Sequence, residues 1–234
     1  MGWIYRREAV RLLAYERRQA AAFDATTLVS RAEAALFCKL APESAARIHA
    51  VPNGVDTDYF RPDRAYPDPF PGADTTVVFT GAMDYWANED AVTWFAESVL
   101  PRLREALPNA AFYIVGARPS AGVSALARRP GVQVTGAVPD IRPYLAHAGL
   151  VVAPLRVARG IQNKVLEAFA MDRPVLATPA ALDGLGLGAD YPLQAEDPQR
   201  LADLAQTVLT QGPPGGSARR QWVRQHFGGA AHLR

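Results

Sequence analysis

Asn163, Lys164 and Glu167 are the residues of this chain whose types and spacing best suit chemistry. Lys164 and Glu167 stand three apart and Asn163 and Glu167 four apart, so on a helix all three project near one face. They lie in Arg159-Gly160-Ile161-Gln162-Asn163-Lys164-Val165-Leu166-Glu167-Ala168-Phe169-Ala170-Met171. One apolar run, 150–155, precedes this stretch and another, 174–177, follows it. The pattern predicts a strand, a glycine-bearing turn, a helix and a second strand. Such a turn falls at the carboxyl edge of a parallel sheet, where open α/β sheets bind ligands. A helix start and a cation there can meet phosphates, and a carboxylate can accept ribose hydroxyls. The set suits a sugar nucleotide. Apolar neighbours on both sides of Glu167 leave little polar face, so its carboxylate is expected to be buried and to need a partner.

The elements that must position these residues follow from the pattern along the chain. Residues 4–22 read as a helix with five arginines on its polar side, and 24–30 as a short strand. Ser30 with Glu33 forms a capping box that opens a second helix, ending near Pro42. Residues 47–51 form another short strand, closed by the turn Pro52-Asn53-Gly54. Pro62, Pro67, Pro69 and Pro71 with Gly72 mark a linker. Regular alternation then begins. Strands are expected at 76–81, 111–116, 132–136, 150–155 and 174–178, and a further one at 193–195. Helices are expected at 90–107, 124–129, 141–148, 198–209 and 217–227. Repeated strand–helix units mean a parallel sheet covered on both faces. Three glycines, Gly81, Gly116 and Gly136, end three of the strands. Singly each is a turn residue; together on one sheet edge they favour close backbone approach to a ligand.

Composition excludes several classes. The chain has 234 residues, a net charge of +2 and 21% charged residues, a balance too weakly basic to argue for nucleic acid. The five Arg and two Glu of the first twenty residues, and the four Arg without an acid in the last seventeen, suit solvated helix faces. The alternative is an anionic partner such as a membrane surface. One cysteine, Cys38, allows no internal disulfide and fits a reducing, cytoplasmic compartment. Lys39 and Lys164 are the only lysines among 25 basic residues, which singles out Lys164 as a chosen point charge. The four histidines are scattered without metal-ligand spacing. G-x-G-x-x-G, P-loop and G-x-S-x-G motifs are absent.

Three further stretches carry a resemblance. Val51-Pro52-Asn53-Gly54-Val55-Asp56, with Phe60 and Pro62, resembles the interdomain hinge of GT-B glycosyltransferases. The stretch Arg159 to Met171 resembles the donor-binding helix of retaining glycosyltransferase family 4. More narrowly, Gly81-Ala82-Met83-Asp84-Tyr85 with Asn88, together with Ala158 to Ala168, looks like the sugar transferases associated with PEP-CTERM/exosortase exopolysaccharide loci. The resemblance implies an α/β fold: a Rossmann-like parallel sheet forming the C-terminal domain of a GT-B fold, plus a remnant of the N-terminal domain. The implied division is 1–51 for the acceptor-side remnant, 52–75 for the hinge and linker, and 76–212 for the donor-binding domain. Residues 213–234 would form a basic helix crossing back to the first domain. Most of an acceptor domain is absent from this length, so the chain reads as N-terminally truncated.

By the same resemblance, the last carboxylate of an E-x7-E pattern bonds the donor ribose, and Glu167 matches it. The first carboxylate would fall at position 159, where this chain has Arg159. The loop from Gly81 to Asn88 lacks the basic residues by which many relatives contact the diphosphate, so Lys164 and Arg159 are the expected substitutes. Lys164, Glu167 and Arg159 are therefore the catalytic candidates. Gly81, Gly116, Arg118, Val138, Gly160, Ile161, Gln162 and Asn163 are the nucleotide-binding candidates. The expected partners are a UDP- or GDP-type sugar donor and a glycan or lipid-linked glycan acceptor. No metal or other cofactor is expected, and location would be cytoplasmic with possible peripheral contact at the inner membrane face. A non-catalytic nucleotide-binding fragment, half of a two-chain enzyme and a sugar-nucleotide epimerase stay open as alternatives.

Overall fold

The computed structural model describes residues 2–72, 75–187, 191–214 and 218–228. The chain forms two compact units, 1–53 and 54–234.

The first unit runs α1 (Gly2–Ala22), β1 (Thr26–Leu28), α2 (Arg31–Leu40), a 3-10 turn (Pro42–Arg47) and β2 (Ile48–Ala50), with β1 and β2 paired in parallel. The N-cap half of the expected capping box forms: Ser30 Oγ accepts from the Glu33 amide at 3.1 Å, which satisfies one of the donors that a helix start leaves unmatched, while the Glu33 carboxylate accepts from the Ser30 hydroxyl. The core here is small, built on Ala34, Ala41 and Ile48 with Leu28, Phe37, Cys38 and Ala50 packed against them. Cys38 is thus a packing residue. Arg17 Nε donates to Glu43 Oε1 at 2.7 Å and ties α1 to the turn. Trp3, Ile4, Tyr5, Val10 and Leu12 of α1 are exposed.

The second unit holds β3 (Thr76–Thr80), α3 (Trp86–Trp94), a π-helical turn (Phe95–Val99), α4 (Leu100–Ala106), β4 (Ala111–Val115), α5 (Ala121–Ala125), β5 (Val132–Gly136) and α6 (Arg142–His147). It continues through β6 (Leu150–Ala153), α7 (Asn163–Ala170), β7 (Val175–Ala177), α8 (Pro179–Leu182), α9 (Pro198–Gln211) and α10 (Arg219–His226). The five strands pair in parallel in the order β5-β4-β3-β6-β7. Val77, Val78 and Phe79 of β3 and Val151 and Val152 of β6 are fully buried, as their unbroken apolar runs require of a sheet covered on both faces. The chain leaves β3 in one direction and returns to its other side through β6. The switch point therefore lies between these two strands.

Three departures from the sequence pattern have physical causes. The helix expected from residue 90 starts at Trp86 and contains a π turn, in which the Leu100 amide donates to Phe95 O. Pro101 follows directly; it offers no amide and its ring would clash in an unbroken helix. The strand expected at 193–195 is reduced to a single bridge between Ala177 and Gln194. The segment expected as a linker is built into the second unit from Gly54 onward. Phe70 is 2% exposed, with its ring centroid 4.4 Å from that of Tyr113 and 5.6 Å from that of Tyr144. One aromatic ring among prolines is enough to anchor a stretch whose composition reads as spacer.

The C-terminal helix α10 packs on α7 inside this unit. Trp222 meets Phe169 edge-on at 5.9 Å, and the guanidinium of Arg220 donates to Ala170 O at 2.6 Å, Phe60 O at 2.7 Å and Thr57 O at 2.8 Å. It thereby fixes the C-terminal end of α7. Of the expected 213–234 helix segment, Gly215, Gly216, Ser217 and residues 229–234 lie outside the described residues. Because Phe70 is buried, Phe70→Ala should lower the unit's stability by about 3–5 kcal/mol. Urea denaturation checks this, and a loss under about 1 kcal/mol would contradict an anchoring role.

Candidate functional site

The loops at the carboxyl ends of β3, β4, β5 and β6 surround a cavity of about 540 Å³, a size common for small-molecule sites. Thr80, Gly81 and Ala82 line it from the end of β3, and Val115, Gly116, Ala117 and Arg118 from the end of β4. Ala137, Val138 and Ile141 follow β5, and Ile161, Gln162, Asn163, Lys164 and Glu167 come from the start of α7.

Glycine is required at two places in this wall. A Cβ on Gly116 would stand 1.7 Å from the Gly81 carbonyl oxygen, so the loops after β3 and β4 touch backbone to backbone. The Gly81 amide donates to Val115 O at 3.1 Å and the Met83 amide to Ala117 O at 2.9 Å, extending the ladder past the strands. A Cβ on Gly81 would lie 2.8 Å from Asn88 Nδ2 and 3.2 Å from Lys164 Nζ. The third strand-end glycine, Gly136, is a turn residue with φ +70° and does not line the cavity.

Lys164 carries the electrostatics. It is buried on the first turn of α7, its Nζ donates to Asn88 Oδ1 at 2.6 Å, and it sits 3.9 Å from the centre of the Phe79 ring. Burial disfavours the ammonium and pushes its pKa down to about 7, with the Glu167 charge opposing that fall. Burial also raises the Glu167 carboxyl, and the Lys164 charge works the other way. Glu167 is half-buried one turn on, and among the described residues no hydrogen bond reaches its carboxylate. Thr80 Oγ1 is buried in the cavity wall with no hydrogen-bond partner among the described residues. At the α7 N-terminus Gln162 is the N-cap residue, and among the described residues no side chain caps the helix there. At the mouth, Arg118 Nη2 donates to Asp84 Oδ1 at 3.1 Å and holds that carboxyl below the usual carboxylate range. Arg118 has φ +54°, an uncommon backbone conformation for a side-chain-bearing residue.

Most expected binding residues meet here: Gly81, Gly116, Arg118, Val138, Ile161, Gln162, Asn163, Lys164 and Glu167 all line the cavity. Two do not. Arg159 is exposed and outside the wall, its carbonyl accepting from Gln162 Nε2 at 3.2 Å. Gly160, at φ +66°, turns the chain between Arg159 and α7, and its carbonyl packs where a Gly184 Cβ would be only 2.2 Å away. Pattern reading along the chain missed the contributions of Thr80 and Asn88. Asn88 had one signal, its place in the Gly81–Asn88 stretch that carries the family resemblance. Among the described residues, no group of three His, Cys, Asp or Glu side chains stands where a metal ion could be held, and no helix is long and apolar enough to cross a membrane.

A parallel sheet with a cavity at its switch point defines the doubly wound α/β class. Within it, the chain belongs to the glycosyl transferases group 1, whose family model matches residues 74–211, more than half of its length. No curated protein sequence matches. Among solved structures, HepE of Anabaena in complex with UDP and glucose is similar at 16% identity with a TM-score of 0.69, covering 92% of this chain and 62% of that one. A glycosyltransferase from Rickettsia africae aligns at 16% identity and a TM-score of 0.66, with coverage of 90% and 61%. Sucrose-phosphate synthase from Thermosynechococcus elongatus aligns at 18% identity and 0.70, with coverage of 94% and 59%. At these identities the likeness establishes the fold, that of GT-B glycosyltransferases. The chain spans about three fifths of the length of these structures.

The lowered Lys164 value sets the sign of a pH effect. Between about pH 7 and the ordinary lysine value of about 10.4, the unfolded chain keeps a proton that the folded chain has released. Stability therefore rises with pH across that window, and the cost of the buried charge is fully present below it. Relative to Lys164→Met, the wild type should gain stability in urea denaturation between pH values of about 7 and 9.5. A difference that stays constant with pH would contradict the burial of a titrating amine.

Proposed function

We propose that this chain is the donor-binding part of a retaining glycosyltransferase of the family 4 type, transferring a sugar from a nucleotide-sugar to a glycan or lipid-linked glycan acceptor. The observation that carries this reading is the meeting of Lys164, Glu167 and an uncapped helix start in one cavity at the switch point. Glu167 accepts hydrogen bonds from the donor ribose. The α7 start and Lys164 face the diphosphate, and Gly81 and Gly116 let the loop backbones come close to it. The apolar Val138 and Ile141 suit the flat face of a base.

Chemistry would be cleavage of the bond between the sugar and the diphosphate, with the negative charge that develops on the leaving diphosphate stabilised in place. Lys164 is suited to this because an arriving anion favours its ammonium form. Above pH 7, binding therefore takes up a proton and weakens as pH rises. No metal is assigned to the reaction. Arg159, standing outside the cavity wall, is given no diphosphate role. The acceptor would be part of an exopolysaccharide or related glycan, as the likeness to the exosortase-associated transferases suggests. The location would be cytoplasmic, with the arginine-rich ends touching an anionic membrane face.

Calorimetry with UDP and GDP, followed by assay of UDP-glucose turnover, tests the reading. Wild type should bind one of the two nucleotides, and both Glu167→Ala and Lys164→Ala should weaken that binding by about 1–3 kcal/mol, as for charged hydrogen bonds. Unchanged dissociation constants in both variants would sink the site assignment. Binding without any turnover or donor hydrolysis would favour a nucleotide-binding module over an enzyme.

A further inference from the structure

Asn88 is the polar side chain of the site that no sequence pattern assigned a role. It lies in the first turn of α3, is 8% exposed, and is surrounded by the loop after β3 and the first turn of α7. Its amide makes two bonds of opposite kind. Nδ2 donates to Ala82 O at 2.9 Å, and Oδ1 accepts from Lys164 Nζ at 2.6 Å. The orientation follows from the partners: an ammonium only donates and a carbonyl oxygen only accepts, so a flipped amide would face both with the wrong group. Gly81 completes the fit, since any Cβ there would run into the Asn88 amide.

We propose that Asn88 is a positioning residue for the donor diphosphate. Its amide holds the Lys164 ammonium and the Ala82 carbonyl at one spacing, and so locks the loop after β3 to the start of α7 across the switch point. The inference rests on the donor-site reading above and adds a residue that touches the ligand only through Lys164. Among the described residues no other group does this work. Phe79 offers Lys164 a ring face but no hydrogen-bond acceptor. Glu167 on α7 acts on it through charge. On the neighbouring elements, Asp84 is paired with Arg118 and Asp90 of α3 with Arg156, whose Nε donates to Asp90 Oδ2 at 3.0 Å. Without Asn88 the amine would sit in a buried wall with no acceptor, and the cavity would lose the aim of its cation.

The two-lysine composition makes a direct test available. With lysine labelled with carbon-13 at Cε, the full chain gives signals from Lys39 and Lys164 alone, and Lys39→Arg assigns them. Asn88→Asp keeps the acceptor for Lys164, adds a negative charge and loses the donor to Ala82. It should raise the Lys164 titration midpoint by at least one pH unit. Asn88→Ala should lower UDP affinity at least fivefold in calorimetry, while Glu167→Ala, measured alongside, reports on the ribose contact. A Lys164 midpoint that is the same in wild type and Asn88→Asp overturns the proposal, as does Asn88→Ala binding UDP like wild type while Lys164→Ala binds weakly. If wild type binds neither UDP nor GDP, the donor-site reading falls and the diphosphate role of Asn88 falls with it. Should Asn88→Ala not fold, as judged by circular dichroism, the Asn88→Asp midpoint decides alone.

Discussion

The buried ammonium of Lys164 is the interaction on which the site depends. Taking such a group out of water costs several kcal/mol before compensation. The Phe79 ring returns about 1–2 kcal/mol as a desolvated cation–π contact, and the short bond to Asn88 on the order of 1.5–3 kcal/mol. The balance is left incomplete, and the pKa falls to about 7 in consequence. A cation stabilised this poorly by its own protein is one that an arriving anion stabilises well. The same two contacts join β3, α3 and α7, so the residue that faces the cavity also fastens the two sides of the switch point together.

Backbone proximity does the rest of the positioning. The Gly81–Gly116 contact lets two loops share one wall, and the ladder bonds from Gly81 and Met83 make that wall a continuation of the sheet. The exposed pairs Asp84–Arg118 and Asp90–Arg156 are screened by solvent and contribute little to stability. Their effect is geometric: the first joins the loops after β3 and β4, and the second joins α3 to the segment after β6. Below, Phe79, Phe95, Phe112 and Phe169 are fully buried and hold the strands that carry the loops. At the far end of α7, Arg220 binds three carbonyls, so the helix is held at both ends.

Much of this was legible from residues alone, and for identifiable reasons. Val77–Phe79 of β3 and Leu150–Ala153 of β6 are unbroken apolar runs, which a doubly covered sheet accommodates. The Ser30–Glu33 cap is a local bond between near neighbours, and so is independent of the rest of the fold. The spacing of Lys164 and Glu167 placed them on one helix face whatever the helix packed against. That Arg159 lies outside the cavity wall was not legible, because charge says nothing about direction: the left-handed Gly160 turns the chain between that residue and α7. The linker was misjudged because composition averages over a segment, whereas packing acts through single residues such as Phe70.

Local chemistry in the sequence thus determined the α/β class, the helix carrying the functional residues, the identity of Lys164 and Glu167 as its polar members, and the glycines at the strand ends. Tertiary structure alone decided that Asn88, 76 positions away, accepts a hydrogen bond from Lys164, that Gly116 must be bare because Gly81 lies against it, and that Arg159 does not line the cavity. The physical reason is distance along the chain. Propensity and periodicity act over a few residues, while desolvation and the hydrogen bonds that offset it depend on which surfaces the sheet order β5-β4-β3-β6-β7 brings together.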